Sequence, residues 1–257
     1  GGIIPGILIG FALMICAYIK CRKSGEDKEK LAENYNRIHD MGFWNLFKES
    51  FAALLTPVII LGSIYGGIAS PTEAAAVSVI YALIISIFIY KTLKINELGN
   101  LLVEGCKTYV TILFVISAAT AFGRALTMLR YPQVISEGIL GNISNRIAVI
   151  LVINLILLVF GMILDNIPNI MILTPIFLPM ATAIGMDPVH FGIMMTANLA
   201  IGMVTPPMGI NLYVASSMTK IPVLKIARAA IPFLISFFIA LLLIAFIPQL
   251  SLWLGGM

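Results

Sequence analysis

The sequence predicts an all-α polytopic membrane protein, and three observations carry that class. Hydrophobic residues make up 60% of the 257-residue chain and charged residues 11%, with a mean hydropathy of +1.04. A soluble domain is about half apolar and about a quarter charged. The apolar residues gather into about seven or eight runs near the roughly 20-residue length that a helix needs to cross a bilayer. Lys and Arg punctuate these runs, where they set orientation. The net charge of +4 and pI near 9.0 are therefore read as membrane topology, with no nucleic acid partner expected. Cys16, Cys21 and Cys106 have neither disulfide nor metal spacing and are read as buried apolar thiols. Gly1 stands where an initiator Met would, no signal peptide is visible, and a fragment or part of a longer protein is expected.

The first run, Ile3 to Ile19, ends at Lys20, Arg22 and Lys23, which places that end in the cytoplasm. Residues 24–40 mix both signs of charge and read as a solvated cytoplasmic linker. Residues 41–50 are amphipathic, with Phe43, Trp44 and Phe47 beside Lys48 and Glu49; they lie in the interface or begin the next span. From Phe51 to Tyr90 the chain is apolar for 40 residues. One straight helix of that length would be roughly 60 Å long, twice the hydrocarbon thickness. It must break, and Ser70-Pro71-Thr72-Glu73 is the place, leaving two spans. A short interfacial helix at Asn96 to Glu104, a span from Thr108 to Met128 and an amphipathic connector from Pro132 to Asn142 follow. Arg124, Arg130 and Arg146 crowd the end of that span expected outside, which weakens the charge argument there. Lys220, Lys225 and Arg228 return the chain to the cytoplasm, and the last span runs from Ile231 to Leu250 with Trp253 as an interfacial anchor.

The stretch from Gly161 to Asn211 departs from this pattern. Two apolar arms, Ile147 to Leu164 and Pro168 to Ile184, flank the polar tip Asp165-Asn166-Ile167-Pro168-Asn169, and Asp165 is the only charged residue between Ile147 and Met186. Arms this short around a Pro-containing turn predict a re-entrant helical hairpin. Gly185-Met186-Asp187-Pro188 then leads into a helix from about Val189 to Met218, interrupted by Thr205-Pro206-Pro207-Met208-Gly209. Breaks at membrane depth are tolerated where the backbone is buried in protein or lines a cavity, so the stretch reads as a transport site.

Chemistry follows from the prolines. A helical N–H bonds the carbonyl four residues back and Pro has none, so Pro206 should free the carbonyl of Gly202 and Pro207 that of Met203. Gly209 lets the chain turn, and the Thr205 hydroxyl adds an oxygen. Such oxygens suit a weakly held hard monovalent cation, as in the broken helices of Na⁺-coupled transporters. The alternative is a kinked helix whose carbonyls are satisfied by hydroxyls or water. At the hairpin tip Asn166 is the expected cap and Pro168 suits the first turn, which sets a positive helix end near the midplane. Asn166, Asn169 and Thr174 are then candidate donors to an anion, with Asn211 near the other break, and Asp165 is a functional candidate as an ionisable residue within the membrane. Asp165 and Asn166 acting only as caps is the alternative. Ser70 to Glu73 reads as a capping box, and Asp187-Pro188 as a helix start. His190 reads as a satisfied interface residue and the many Met residues as flexible packing. No phosphate loop, metal spacing or nucleophilic arrangement is present, so an enzyme is not expected.

LDNIPNIMILTPIFLP, GMDPVHFGIMMTANLAIGMVTPPMGINLYVAS and GGIASPTEAAAVSVIYAL resemble the large membrane subunit of the tripartite ATP-independent periplasmic (TRAP) transporters, and the opening GGIIPGILIG is similar to the end of that family's N-terminal half. The resemblance runs from residue 1 to about residue 250 and covers the C-terminal half alone. It implies the ion-transporter superfamily: an elevator-type transporter half, one of two inverted repeats, each with a re-entrant hairpin and a broken helix. It implies Na⁺ coupling without other cofactors, an organic anion such as a sialic acid or C4-dicarboxylate, and the bacterial inner membrane. It implies as partners the N-terminal half, a small membrane subunit and a periplasmic substrate-binding protein. The family's second Na⁺ site maps to Gly161, Gly202, Thr205 and Met208. The implied organisation is a last span of the N-terminal half at 1–23, linker and interfacial helix at 24–50, scaffold at 51–142, transport domain at 143–220 with hairpin 147–184 and broken helix 189–218, and connector and last span at 221–257. Two other readings stand beside it: a binding-protein-independent Na⁺/carboxylate transporter of the same superfamily, and a mainly scaffolding component whose amphipathic segments are partner surfaces.

Overall fold

The computed structural model describes residues 1–24, 42–143 and 145–253, and all its regular elements are helices. The linker expected at 24–40 lies outside the described residues except for Ser24. In chain order the α-helices are α1 (Ile3–Ser24), α2 (Phe43–Tyr65), α3 (Pro71–Ile84, continued by a π turn Ile85–Ile89), α4 (Leu98–Met128), α5 (Tyr131–Asn142), α6 (Arg146–Ile163), α7 (Asn166–Ala183), α8 (Pro188–Gly202), α9 (Ile210–Thr219), α10 (Val223–Phe246) and α11 (Gln249–Leu252). Among the described residues six helical stretches are long and apolar enough to cross a membrane: Ile3–Arg22, Pro71–Ile89, Ile95–Met128, Arg146–Ile163, Asn166–Ala183 and Val223–Phe246. The chain is a multi-pass membrane protein.

Two expected boundaries move. The interfacial helix at Asn96 to Glu104 is not separate: a short 3₁₀ turn at Ile95–Glu97 runs into α4, which continues unbroken to Met128. Glu104 and Lys107 do not interrupt it, because long charged side chains on a helix lose little rotamer freedom. Likewise the connector before the last span is the first turns of α10, which begins at Val223 and carries Lys225 and Arg228. Residues 43–50 open α2, so this segment begins the next helix. The cysteines are not core residues: Cys21 and Cys106 are exposed and Cys16 is half-buried. They stand on α1 and α4, helices that turn little of their surface into the chain's own core.

The chain forms two compact units, Gly1–Ser24 with Thr111–Met257, and Gly25–Val110. In the second unit, Tyr81 donates its hydroxyl to the Ala52 carbonyl at 2.8 Å, and the Tyr90 hydroxyl accepts the Ala53 amide at 3.2 Å, which ties α2 to the α3 segment. The box at the start of α3 is complete: Ser70 Oγ accepts the Glu73 amide at 3.4 Å and a Glu73 carboxylate oxygen accepts the Ser70 amide at 2.7 Å.

The core of the first unit sits where α6, α7, α8 and α10 meet. Val149, Ile153 and Leu157 of α6 recur on one face and meet Phe191, Met194, Met195 and Leu199 of α8, all buried. Leu173, Ile176, Phe177 and Met180 of α7 and Leu241 and Ala245 of α10 complete it. His190 is 1% exposed and its Nε2 lies 3.2 Å from the Ala245 carbonyl, so the start of α8 is tied to the end of α10. Asp187 caps α8 by accepting the Val189 and His190 amides. On the other side of α10, Lys20 donates to the Ala229 carbonyl at 2.6 Å and lies 5.3 Å from the Phe233 ring centroid.

This arrangement separates two neighbouring leucines by consequence. Leu157 is fully buried while Leu155 is 62% exposed. Leu157→Ala is expected to destabilise the protein by about 2–5 kcal/mol through the cavity it leaves. Leu155→Ala should change stability by about 0.5 kcal/mol or less. Thermal unfolding of the two variants in detergent checks the ordering.

Candidate functional site at two helix ends

Parallel packing of α6 and α8 creates the site. Asn154 of α6 bonds Asn198 of α8, and Gly161 of α6 lies against Gly202 of α8, so the two helices run in the same direction. Their C-terminal ends therefore come together: Gly161 is in the last turn of α6 and Gly202 is the last residue of α8. A helix C-terminus leaves four carbonyls without intrahelical partners and carries roughly half a negative charge. Two such ends in contact favour a cation without any carboxylate.

The contact is backbone to backbone. A Cβ on Gly202 would lie 2.5 Å from the carbonyl carbon, 2.6 Å from the Cα and 2.9 Å from the carbonyl oxygen of Gly161. A Cβ on Gly161 would lie 3.1 Å from both the Cα and the carbonyl oxygen of Leu199. Only hydrogen fits at Gly202, while a methyl at Gly161 would press on the Leu199 backbone by a few tenths of an ångström. Among the described residues no N–H reaches the Gly161 carbonyl.

The break after α8 corrects the simple proline count. The Gly202 carbonyl is not left bare, because the Thr205 amide folds back to it at 2.9 Å. The Met203 carbonyl accepts the Asn211 amide at 3.1 Å, and the Thr205 carbonyl accepts the Gly209 amide at 3.1 Å. The chain tightens into turns, so neighbouring donors replace the N–H groups that Pro206 and Pro207 lack. Each carbonyl still has a second lone pair for a ligand. Gly209 serves by close approach: a Cβ there would lie 2.7 Å from the Met203 carbonyl oxygen. The Pro206–Pro207 peptide bond is cis. Thr205 donates its hydroxyl to the Ile201 carbonyl at 2.7 Å, which commits the proton and leaves the oxygen's lone pairs available. Gly161, Gly202 and Thr205 are thus brought together. Met208 stands in the same loop, 56% exposed, and makes no hydrogen bond to the glycine pair among the described residues.

At the hairpin tip the roles also shift. Asp165, not Asn166, is the N-cap of α7 and accepts the Asn166 amide at 2.8 Å. Asp165 takes the position because its extended backbone (φ −66°, ψ 159°) follows directly on the end of α6, while Asn166 is already helical. Asn169 is fully buried, and its amide nitrogen donates to the Phe160 carbonyl at 3.1 Å and the Leu164 carbonyl at 3.0 Å. Both N–H groups are spent on carbonyls at the end of α6, so Asn169 is a clasp for the hairpin and not the anion donor expected. Its Oδ1 and that of Asn166 are buried acceptors without partners. Thr174 points its hydroxyl at the Met195 sulfur, 3.6 Å away, and so is turned from the tip. Pro168 sits in the first turn of α7, and Asn211 is exposed in the first turn of α9.

Two residues that the sequence reading passed over belong here. Asn154 and Asn198 are 3% and 0% exposed and bonded to each other in the core. Their signal was the spacing: Asn154 precedes Gly161, and Asn198 precedes Thr205, by seven residues. Two helical turns keep each pair on one face. Cavities of about 340 and 390 Å³ elsewhere in this unit, one lined by Thr120, Arg124 and Met171 and one by Gly6, Gly192 and Phe237, contain none of the break residues. Backbone geometry marks the candidate site.

Fold and composition define an all-helical, multi-pass membrane protein with an interrupted helix in its core. The chain belongs to the family described as the tripartite ATP-independent periplasmic transporter, DctM component, whose model matches residues 1–250. It is 39% identical over its full length to the isethionate TRAP transporter permease protein DctMQ of Oleidesulfovibrio alaskensis, covering 40% of that protein. It is 38% identical over 98% of its length to the sialic acid TRAP transporter large permease protein SiaM of Vibrio cholerae, covering 57% of it. It is 36% identical over 99% of its length to the C4-dicarboxylate TRAP transporter large permease protein DctM of Pseudomonas aeruginosa, covering 59% of it. The chain thus spans about half the length of the curated relatives it matches. These relatives are transport permeases and not enzymes.

Replacing Asn169 by Ala removes both donors from the end of α6: the Leu164 carbonyl loses this partner, while the Phe160 carbonyl keeps the Leu164 amide. The expected loss is about 1–3 kcal/mol, from two hydrogen bonds worth about 0.5–1.5 kcal/mol each. A lowered melting temperature with faster amide exchange confined to residues 160–170 checks this.

Proposed function

We propose that this chain is the ion-binding half of a Na⁺-coupled permease that imports an organic anion. The observation that carries the reading is the meeting of the α6 and α8 C-terminal ends at the Gly161–Gly202 contact. Na⁺ is a hard cation and takes oxygen ligands. Gly161, Gly202 and Thr205 supply carbonyl and hydroxyl oxygens beside two negative helix ends, with Met208 of the same loop as the fourth ligand. Half-helix ends and unwound carbonyls hold Na⁺ in this manner in broken-helix transporters.

The anion belongs at the opposite polarity. The first turns of α7 and α9 start next to the same two helix ends, so positive N-termini lie beside negative C-termini. The α9 start has no side-chain cap, whereas Asp165 occupies that of α7. Asn166 and Asn211 flank these starts, and Pro168, Pro206, Pro207 and Gly209 shape them. The names of the relatives point to a sialic acid, a C4-dicarboxylate or a sulfonate such as isethionate as the substrate class. A carboxylate and a sulfonate make the same demand for exposed amide donors.

The hairpin of α6 and α7 enters and leaves from one side, and with the broken α8–α9 helix it forms the moving transport domain at 143–220. Residues 51–142 form the scaffold against which it slides in an elevator motion. The N-terminal half of the large subunit contributes the inverted repeat and the first ion site. A small membrane subunit supports the scaffold, a periplasmic binding protein delivers the substrate, and the complex resides in the bacterial inner membrane.

The test is uptake by the complete transporter in proteoliposomes. Replacing external Na⁺ by choline should abolish accumulation, and uptake unchanged in choline would contradict the coupling. Thr205→Ala should raise the half-saturating Na⁺ concentration about tenfold, as expected for about 1.4 kcal/mol of lost ligand interaction. Thr205→Ser, which keeps the hydroxyl, should remain near the parent value.

A further inference from the structure

The buried amide pair of Asn154 and Asn198 lies outside the proposed ion ligands yet on the same helix faces. Asn198 Nδ2 donates to both the Asn154 side-chain oxygen at 2.6 Å and the Asn154 backbone carbonyl at 2.9 Å. Asn154 Nδ2 in turn donates to the Ile150 carbonyl at 2.8 Å and lies 3.3 Å from the Met194 sulfur. One side chain of α8 is thereby fixed to both the side chain and the backbone of a single residue of α6. Apolar neighbours such as Ile153, Leu157, Met195 and Leu199 are fully buried but carry no directional preference. Asn198 Oδ1 has no hydrogen-bond partner among the described residues.

We infer that Asn154 and Asn198 are positioning residues that set the axial register of α6 against α8 and so tune the Na⁺ affinity of the site at their ends. The inference rests on the proposed ion site. Asn154 is seven residues from Gly161, or about 10 Å along a helix, and Asn198 is four from Gly202, or about 6 Å, so their side chains sit one to two turns below the glycine contact. Register matters because a Cβ at Gly202 would lie 2.5–2.9 Å from the Gly161 backbone, and one at Gly161 would already press on Leu199 at 3.1 Å. A slip of one residue, about 1.5 Å of rise, would bring Met162 or Ile201 toward the crossing and part the two carbonyl ends. A single buried Asn fixes register in coiled coils, where apolar packing alone leaves it free. In the membrane, where helices gain no hydrophobic preference for one another over lipid, polar contacts between helices specify the pairing.

The experiment is Na⁺-dependent uptake and Na⁺-dependent thermal shift of the complete transporter carrying Asn198→Leu, Asn154→Leu, the milder Asn198→Ser, or Met194→Leu. The two Leu variants are expected to raise the half-saturating Na⁺ concentration about tenfold, the size typical of outer partners of metal ligands. Maximal uptake at saturating Na⁺ should stay within about twofold of the parent. Asn198→Ser keeps a donor of shorter reach and should fall between. Met194→Leu removes the sulfur that Asn154 Nδ2 faces but keeps the bonds between the two amides, and should move the Na⁺ midpoint less than either Asn→Leu change. An unchanged Na⁺ requirement in all the Asn variants, beside a Na⁺-dependent parent, would overturn this inference alone. Loss of uptake at every Na⁺ concentration in all three, with no movement of the Na⁺ midpoint in the thermal shift, would also overturn it and leave a purely structural pair. A parent indifferent to Na⁺ in both measurements would overturn the ion-site reading and this inference together.

Discussion

Everything near the site depends on two glycines that let α6 and α8 touch without side chains between them. The Gly161–Gly202 contact holds two helix ends closer than any other residue pair would allow. Close approach turns two weak partial charges into one local field, since each helix end contributes only about half a charge and the effect fades within a turn. In the proposed reading the cation is held by backbone and hydroxyl oxygens at these two ends, while Asp165 at the tip is engaged as the cap of α7.

The membrane makes the same demand at every irregular point, that each backbone group find a partner within the protein. The structure meets it in three ways. Where Pro206 and Pro207 remove donors, the chain tightens, so that Thr205, Gly209 and Asn211 amides serve the carbonyls of Gly202, Thr205 and Met203. Where α6 ends, Asn169 reaches back from α7 to hold the Phe160 and Leu164 carbonyls. Where α8 begins, Asp187 caps it and His190 ties it to α10. Among the described residues the buried amide oxygens of Asn166, Asn169 and Asn198 lack partners, as do His190 Nδ1 and Ser251 Oγ.

Hydropathy and the residues at helix breaks made much of this legible. Apolar runs located the spans, and Ser70-Pro71-Thr72-Glu73 and Asp187-Pro188 announced helix starts through cap chemistry that works over four residues. Glycine and proline marked the break at 205–209, which the structure widens to 203–209, and the tip at 165–169, which it narrows to 164–165. What the sequence withheld was tertiary. The proline rule names which N–H is missing but not which other donor moves in, so the Gly202 and Met203 carbonyls were expected free and are not. Cap preference allows either Asp165 or Asn166, and only the backbone angles decide. Asn169 has the chemistry of an anion donor until its neighbours occupy both its hydrogens. Segment ends at Asn96 and at 221–230 blurred because charged side chains propagate a helix as readily as they end one. The Asn154–Asn198 pair needed the parallel packing of α6 and α8, which no local pattern reveals.

The central claim is that a cation sits where these two helix ends meet, and equilibrium binding of ²²Na⁺ to the purified complete transporter tests it most directly. Comparison of the parent with Gly202→Ala, whose methyl would stand 2.5 Å from the Gly161 carbonyl carbon, should show one bound ion fewer, with choline failing to compete. The same number of ions bound at the same affinity in both proteins would contradict the account.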